Sequence, residues 1–307
     1  MRAIVCAACL LASWGESRAD WIARSLHPSS GVFASSALAA DDEWQGGYAW
    51  IYTHDEFSIE MPVLWRGGDT TMRTLVPAGT GFVGGRVSGM HGGRQVGTLG
   101  GSPGNRAVVW EGTAESYRVL PFNPNRYGGT EALAISGNQV VGVGYDTNNA
   151  RRRAAVWDLA TWTSRDLAPA GSHSSFAEGT DGSTQVGRVA PLSGGGFRAA
   201  MWRGTPGSYV DLQPQGYIEG IASDVEGNVQ VGSVILPQVG LRAALWRGSA
   251  ESFVDLTPEG AIAAEIWATT GTLHVGFVRG ADGYGGATLW LGDDAGSTVN
   301  LHHFLGS

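Results

Sequence analysis

The chain has 307 residues, enough for one large β or α/β domain or two ordinary ones. Its formal net charge is −8 and its 20 basic residues are all arginine, a balance that excludes the basic footprint general nucleic-acid binding needs. With 48 glycines, 16% charged and 43% hydrophobic residues, it reads as many short strands joined by tight turns, which excludes a helical bundle, a doubly wound sheet and a disordered chain.

The chain opens on "MRAIVCAACLLASWGESRAD", with a basic start at Arg2, an apolar run from Ala3 to Ala12, and Ser17 and Ala19 framing a cleavage site. This is the layout of a secretory signal peptide over 1–19, too short to span a membrane. A second small-residue site, near Ala39 and Ala40, lies far from the apolar run. Both cysteines, Cys6 and Cys9, fall inside this leader, so the mature chain is expected to carry no thiol, disulfide or thiolate metal site.

From there a phrase repeats. A Trp ends an apolar run at Trp65, Trp110, Trp157, Trp202, Trp246 and Trp290, in steps of 45, 47, 45, 44 and 44 residues. A period in this range signals a solenoid, propeller or array. Ten or eleven residues beyond comes a Leu closing a short strand: Leu75, Leu120, Leu167, Leu212, Leu256 and Leu301. Pro77, Pro121, Pro169, Pro214 and Pro258 follow within two residues, and proline marks the outer edge of a sheet. Next come a small-residue strand ("EALAISG", from Glu131) and a glycine-marked one ("QVVGVGY", around Gly142). Each unit thus offers four strands, and successive four-stranded sheets packed around a ring bury one another's faces.

The expected fold is therefore all-β, a single six-bladed β-propeller of four-stranded antiparallel blades over 20–307. Blades are expected to begin near Val32, Phe82, Glu131, Glu178, Glu219 and Glu265. An extra outer-strand signal, "DWIARSL" at Asp20 to Leu26, competes with "STVNL" (Ser297–Leu301) to close the ring and leaves seven blades as the rival count. In "RAALW" the Trp wedges between blades while the alanines let the sheets approach. The alternation of "EALAISGNQVVGVGY" with "AAVW" and a following "DL" resembles the HAF-type extracellular repeat family of bacteria, over nearly all of 20–305. The blade order is also similar to kelch propellers, without their full double-glycine and Tyr/Trp pairing. The resemblance implies a secreted or surface protein and carries no shared catalytic motif.

Arg106, Arg153, Arg198 and Arg242 each stand four residues before a repeat Trp. They form either an arginine ring for an anionic ligand or strand-to-strand pairs with Asp166, Asp211 and Asp255, with guanidinium–Trp stacking. In the second unit the acid is replaced by Val119. Glu131, Glu178, Glu219 and Glu265 recur at the expected entry of the inner strands. They are candidate channel-mouth acids, able to hold a hard cation such as Ca²⁺ or to accept backbone N–H groups. No other cofactor is implied.

Repeat proteins carry function where their units differ. The loops of one face hold the candidate ligand-binding residues His54, Asp55, Tyr145, Asp146, Arg152, His173, Trp267, Asp282 and Tyr284. His54, Asp55, Glu56 and His173 offer acid–base groups, but no nucleophile motif, phosphate loop or metal-spaced His cluster appears, so no catalytic residue is assigned. The adjacent His302 and His303 would face opposite sides of a strand. The leading expectation is a monomeric, secreted binding module for a glycan or an extracellular protein. The alternatives are a propeller glycosidase or lyase using the channel-mouth acids, and a structural surface spacer.

Overall fold

The computed structural model describes residues 25–28, 30–52, 58–102, 104–123 and 125–304. The expected leader, most of "DWIARSL", His54, Asp55 and Glu56 lie outside the described residues. Six four-stranded antiparallel sheets follow one another along the chain, each built from four consecutive strands in sequence order. The inner strands are β1 (Ala34–Asp41), β5 (Phe82–His91), β9 (Tyr127–Ser136), β13 (Ser172–Thr180), β17 (Glu219–Glu226) and β21 (Ala261–Thr269). The second strands are β2 (Trp44–Tyr52), β6 (Arg94–Gly101), β10 (Gln139–Asp146), β14 (Gln185–Pro191), β18 (Val229–Leu236) and β22 (His274–Gly280). The third are β3 (Ser58–Arg66), β7 (Arg106–Trp110), β11 (Arg151–Asp158), β15 (Arg198–Trp202), β19 (Gly240–Trp246) and β23 (Gly285–Trp290). The outer strands are short: β4 (Arg73–Thr74), β8 (Arg118–Val119), β12 (Thr163–Asp166), β16 (Val210–Asp211), β20 (Val254–Asp255) and β24 (Thr298–Asn300). The fold is a six-bladed propeller, and "STVNL" supplies the outer strand of blade 6.

The recurring glycine of the second strand has a steric cause. At Gly47, Gly97, Gly142, Gly187, Gly232 and Gly276 a Cβ would collide with the backbone carbonyl of the inner strand, that of Ser36, Arg86, Glu131, Phe176, Ile221 and Glu265 respectively. Two residues after each of these carbonyls the inner strand bulges. The register skips Leu38, Ser88, Leu133, Glu178, Ser223 and Trp267, one in every blade. A bulge leaves one residue unpaired and sharpens the local twist. The residue between carbonyl and bulge (Val87, Ala132, Ala177, Ala222 or Ile266 in blades 2 to 6) is buried between sheets.

The repeat Trp side chains are all at most 1% exposed. Each one in blades 2 to 6 packs into the preceding blade: Trp110 on Leu64 and Leu75, Trp157 on Val96 and Leu120, Trp202 on Val141 and Leu167, Trp246 on Val186 and Leu212, Trp290 on Val231 and Leu256. Three also donate their indole N–H backward, Trp110 to Leu75 O (3.0 Å), Trp157 to Pro121 O (2.8 Å) and Trp290 to Leu256 O (2.8 Å). The Leu after each outer strand completes the arrangement. Leu167, for example, is fully buried and donates its N–H to Ala154 O at 2.8 Å.

At the first five junctions the inner strand of one blade lies across the inner, second and third strands of the blade before it. Among the described residues no strand pair of blades 6 and 1 packs in that way. Trp65 is covered by its own blade (Ala49, Val63, Met61) and by Leu26 and Val32, which precede it.

Three boundaries differ from the sequence expectation. Blades 3, 4 and 6 begin at Tyr127, Ser172 and Ala261, because "YGGT", "SHSS" and "AIAA" are paired strand despite their turn-like or featureless composition. His302 and His303 lie on a short 3-10 turn (Leu301–Phe304) rather than a strand, and His302 Nδ1 accepts the Ala287 N–H at 3.1 Å. No helix among the described residues is long and apolar enough to cross a membrane.

Blades are also linked by half-buried polar groups. Asp224 of β17 accepts the Thr269 N–H of β21 at 2.8 Å, and burial pushes its carboxyl from the ordinary 3.8 up to about 6.

Three outcomes are expected. Gly142→Ala, which drives a methyl into the Glu131 carbonyl, should cost roughly 1–3 kcal/mol or more in denaturant unfolding. Trp202→Ala should cost ~3–5 kcal/mol. Because the native state holds the Asp224 proton more tightly than the unfolded chain, stability falls as pH rises from about 4 to 6. Asp224→Asn should flatten that slope and raise stability at pH 7 by on the order of 3 kcal/mol, at ~1.4 kcal/mol per pKa unit; unfolding midpoints at pH 4 and pH 7 measure it.

Candidate functional site

Aligning the blades on the steric glycine gives two levels of side chains on the inner strands, which stand around the propeller axis. The first level is Ser36, Arg86, Glu131, Phe176, Ile221 and Glu265. The second is the bulged set, with Leu38, Leu133, Glu178 and Trp267 as its large members. Of the four candidate channel acids, Glu131 and Glu265 thus share one level, Glu178 stands one level further along, and only Glu219 is the first residue of its strand. They do not form one ring. Among the described residues no three His, Cys, Asp or Glu side chains converge as a metal ion would require.

What the inner strands bring together is a mixed cluster across blades 1 to 4. Glu60, at the start of β3, pairs with Arg86 (Nε to Oε1 2.7 Å). Glu131 accepts hydrogen bonds on Oε1 from Tyr145 Oη (2.8 Å) and Asn105 Nδ2 (3.2 Å). Arg152 lies over the rings of Tyr145 (5.5 Å) and Phe176 (5.8 Å), and Arg188 over Phe176 (4.5 Å) and Phe197 (5.0 Å). Cations over aromatic faces hold each other in place electrostatically.

Arg188 Nη2 lies 3.2 Å from Glu178 Oε1, near enough for an ion pair but off the hydrogen-bonding direction. Glu178 Oε1 and Arg188 Nε therefore both end buried with no hydrogen-bond partner among the described residues. Burial pushes the Glu178 carboxyl upward against the pull of Arg188, and the charge of Glu131 adds to the rise. Burial likewise raises Glu60 more than Arg86 lowers it, again with a contribution from Glu131. The charge of Glu131 in blade 3 thus reaches both Glu60 in blade 1 and Glu178 in blade 4. Burial and the Glu131 hydrogen bond raise the Tyr145 phenol, keeping it a donor.

The remaining loop-face candidates divide. Asp146 is buried; burial pushes its carboxyl up, but the Asn148 N–H and Arg126 (3.0 Å) outweigh that and hold it below the usual range, so it ties down its own turn. His173 is exposed on β13, its Nδ1 3.3 Å from Ser174 Oγ. Asp282 accepts the Tyr284 N–H in the turn between β22 and β23, leaving Tyr284 82% exposed. Trp267, 43% exposed, stacks on Phe277 with ring centroids 6.4 Å apart. Sequence reading missed Glu60, Arg86, Arg188, Phe176 and Phe197. For Arg86 and Phe176 the signal lay in the repeat alignment, where the column through Glu131 is variable opposite a column of invariant glycine, and Arg188 directly follows that glycine in its own blade.

The repeated arginines are structural in three blades. Arg153, Arg198 and Arg242 donate Nε to Oδ2 of Asp166, Asp211 and Asp255 at 2.6, 2.6 and 2.9 Å. The expected stacking on the repeat Trp does not occur among the described residues. Because each Trp is turned into the preceding blade, the guanidinium–indole contacts fall instead on Trp44 and Trp162. Two clefts lie away from the axis, one of about 280 Å³ between blades 3 and 4 beside Gln139 and Arg165, the other of about 470 Å³ between blades 2 and 3 beside Arg106.

No family model matches the chain, and no curated protein does. Solved structures do. The chain is similar to a puromycin hydrolase S511A mutant complexed with PGG (11% identity, TM-score 0.56), over 91% of this chain and 56% of that one. It is also similar to the Pyrococcus horikoshii acylaminoacyl peptidase (10% identity, TM-score 0.58), over 87% of this chain and 45% of that one. A Mycobacterium tuberculosis puromycin-hydrolyzing peptidase aligns at 14% identity and TM-score 0.50, over 82% of this chain and 44% of that one. The chain spans about half the length of these peptidases, and at such identities the likeness is one of fold: a propeller of the kind these structures contain.

Proposed function

We propose that this chain is a secreted or surface-exposed propeller that binds a glycan at its channel and loop-rich face, without catalysis. The observation that supports this most is the stack of Arg152 and the part-exposed Arg188 on the Phe176 and Phe197 rings, beside the Glu131–Tyr145 hydrogen bond. Arg188, with 33% of its side chain exposed, can donate to a ligand and the nearby Glu131 can accept, so the site suits a ligand that both donates and accepts. Sugar hydroxyls do both, and their C–H faces stack on aromatic rings. Glu131 and Tyr145 on one side and the exposed Trp267 on another blade add acceptor, donor and platform of the same kind. An acidic surface of net −8 suits a neutral glycan better than a polyanionic one.

A second reading, a glycosidase or lyase, is favoured by one observation: burial raises the Glu178 carboxyl while its neighbour Glu131 stays committed to Tyr145 and Asn105, a pairing of unlike carboxyls. Glu178→Gln distinguishes the two. Loss of turnover on a glycan that still binds indicates an enzyme, and unchanged binding without turnover in either protein indicates a binding module.

Thermal unfolding against a panel of neutral oligosaccharides tests the leading reading. A ligand at a hundred times its Kd stabilises by about 2.7 kcal/mol, a readily measured rise in midpoint. The rise should appear with one class of glycan and vanish in Arg152→Met and Phe176→Ala. No rise with any glycan, or a rise untouched by both substitutions, would set this reading aside.

A further inference from the structure

In blades 3, 4 and 5 the outer-strand Asp has two tasks. Its Oδ2 takes the arginine Nε, and its Oδ1 accepts the N–H two residues on: Ala168 for Asp166 (2.8 Å), Gln213 for Asp211 (2.9 Å), Thr257 for Asp255 (2.9 Å). The strand register places Val119 of blade 2 opposite Val108, where Asp211 and Asp255 stand opposite Ala200 and Ala244. Residue 121 is proline, so no N–H exists there to be accepted and that task is gone. The other is not. Arg106 is still present, with Nη1 donating to the carbonyls of Asn105 and Gly128, both at 2.9 Å. Its Nε, the atom that meets a carboxylate in the next three blades, has no acceptor among the described residues.

Beside Arg106 lies a cleft. About 470 Å³ opens between blades 2 and 3, walled by Val119, Leu120, Pro121 and Phe122 on the apolar side and by Arg106 and Thr130 on the polar side. Val119, 40% exposed, projects where the other blades carry a carboxylate. The nearby Asp166 does not repel an incoming anion strongly. It is held by Arg153 at 2.6 Å, by Arg126 at 3.7 Å and by the Tyr127 hydroxyl at 2.9 Å. The Thr130 hydroxyl accepts the Ala107 N–H, Asn123, Tyr127 and Ser164 complete the polar lining, and Arg106 is the one cationic side chain among the residues that line the cleft. A guanidinium edge fixed by two backbone carbonyls is preorganised for a carboxylate.

We propose that this cleft binds a carboxylate carried on a short apolar body, the ligand's carboxylate taking the place of the missing outer-strand Asp and its body lying against Leu120, Pro121 and Phe122. The same chemistry is offered by a free small acid and by the carboxyl terminus of a peptide ending in a hydrophobic residue. The site is distinct from the channel cluster and does not depend on a glycan binding there.

The test uses the purified protein with two acids, 3-phenylpropionate and an N-acetylated tripeptide ending in Phe, each against its carboxamide, by calorimetry and ligand-observed NMR. Both acids should bind and both amides should bind at least tenfold more weakly; the tighter of the two acids identifies the source. Arg106→Gln should lower affinity at least tenfold. Val119→Asp is the sharper variant, because it supplies the carboxylate internally. It should abolish binding of both acids while the thermal midpoint holds or rises, which separates loss of the site from loss of the fold. Absence of binding by either acid, equal binding of acids and amides, or full binding by Val119→Asp would overturn the proposal. A glycan-induced rise in midpoint that survives in Val119→Asp would show the two sites to be independent.

Discussion

The molecule depends on one close approach, repeated six times: an inner-strand carbonyl set against the bare Cα of a second-strand glycine. No side chain fits between them. The contact draws the first two strands of each blade together just before the bulge, and a bulge adds twist where a propeller blade needs it. The residue between carbonyl and bulge is then turned into the neighbouring sheet, where small or β-branched side chains such as Val87, Ala132 and Ala222 let the blades approach. Only with the sheets this close can a Trp four residues past an Arg reach the Leu of the preceding blade. Glycine, bulge, alanine and tryptophan are therefore parts of a single packing solution.

That solution explains how regularity and variation divide in the sequence. Groups facing between blades are fixed by volume and recur. Groups on the axis touch no sheet face and are free to differ, so one level reads Ser, Arg, Glu, Phe, Ile and Glu around the ring. The outer rim lies between these extremes. There the Arg–Asp pair persists through blades 3 to 5, while blade 2 keeps the Arg alone and has Pro121 in place of a residue whose N–H would need capping. The loss of the carboxylate and the presence of the proline are consistent with each other: each makes the other tolerable.

Much of this architecture is legible from residues alone. Trp at steps of 44 to 47 gives the blade count, the Leu and Pro that follow give the outer edge, and the Arg-to-Asp spacing gives the pair. Inner-strand starts are not legible at "YGGT" and "SHSS", because a strand held by a close-packed neighbour needs no β-branched residues of its own. The orientation of the Trp is likewise hidden. Alternation assigns it to the same face as its Arg, but the wedge into the preceding blade decides which groups it meets. The axial cluster is the least legible part, since Glu60, Arg86, Glu131 and Arg188 come from four consecutive blades and are brought together only when those blades stack. No local motif links them.

The bulge has one more implication. A bulged residue answers neither to the hydrogen-bond ladder nor to the packing between sheets, so its identity is released from the demands of folding. Leu38, Ser88, Leu133, Glu178, Ser223 and Trp267 already range from small to aromatic and from apolar to acidic at a single structural address. The propeller thus holds six interchangeable positions around its axis, and a lineage can rewrite what the axis recognises by single substitutions there while leaving the scaffold as it was.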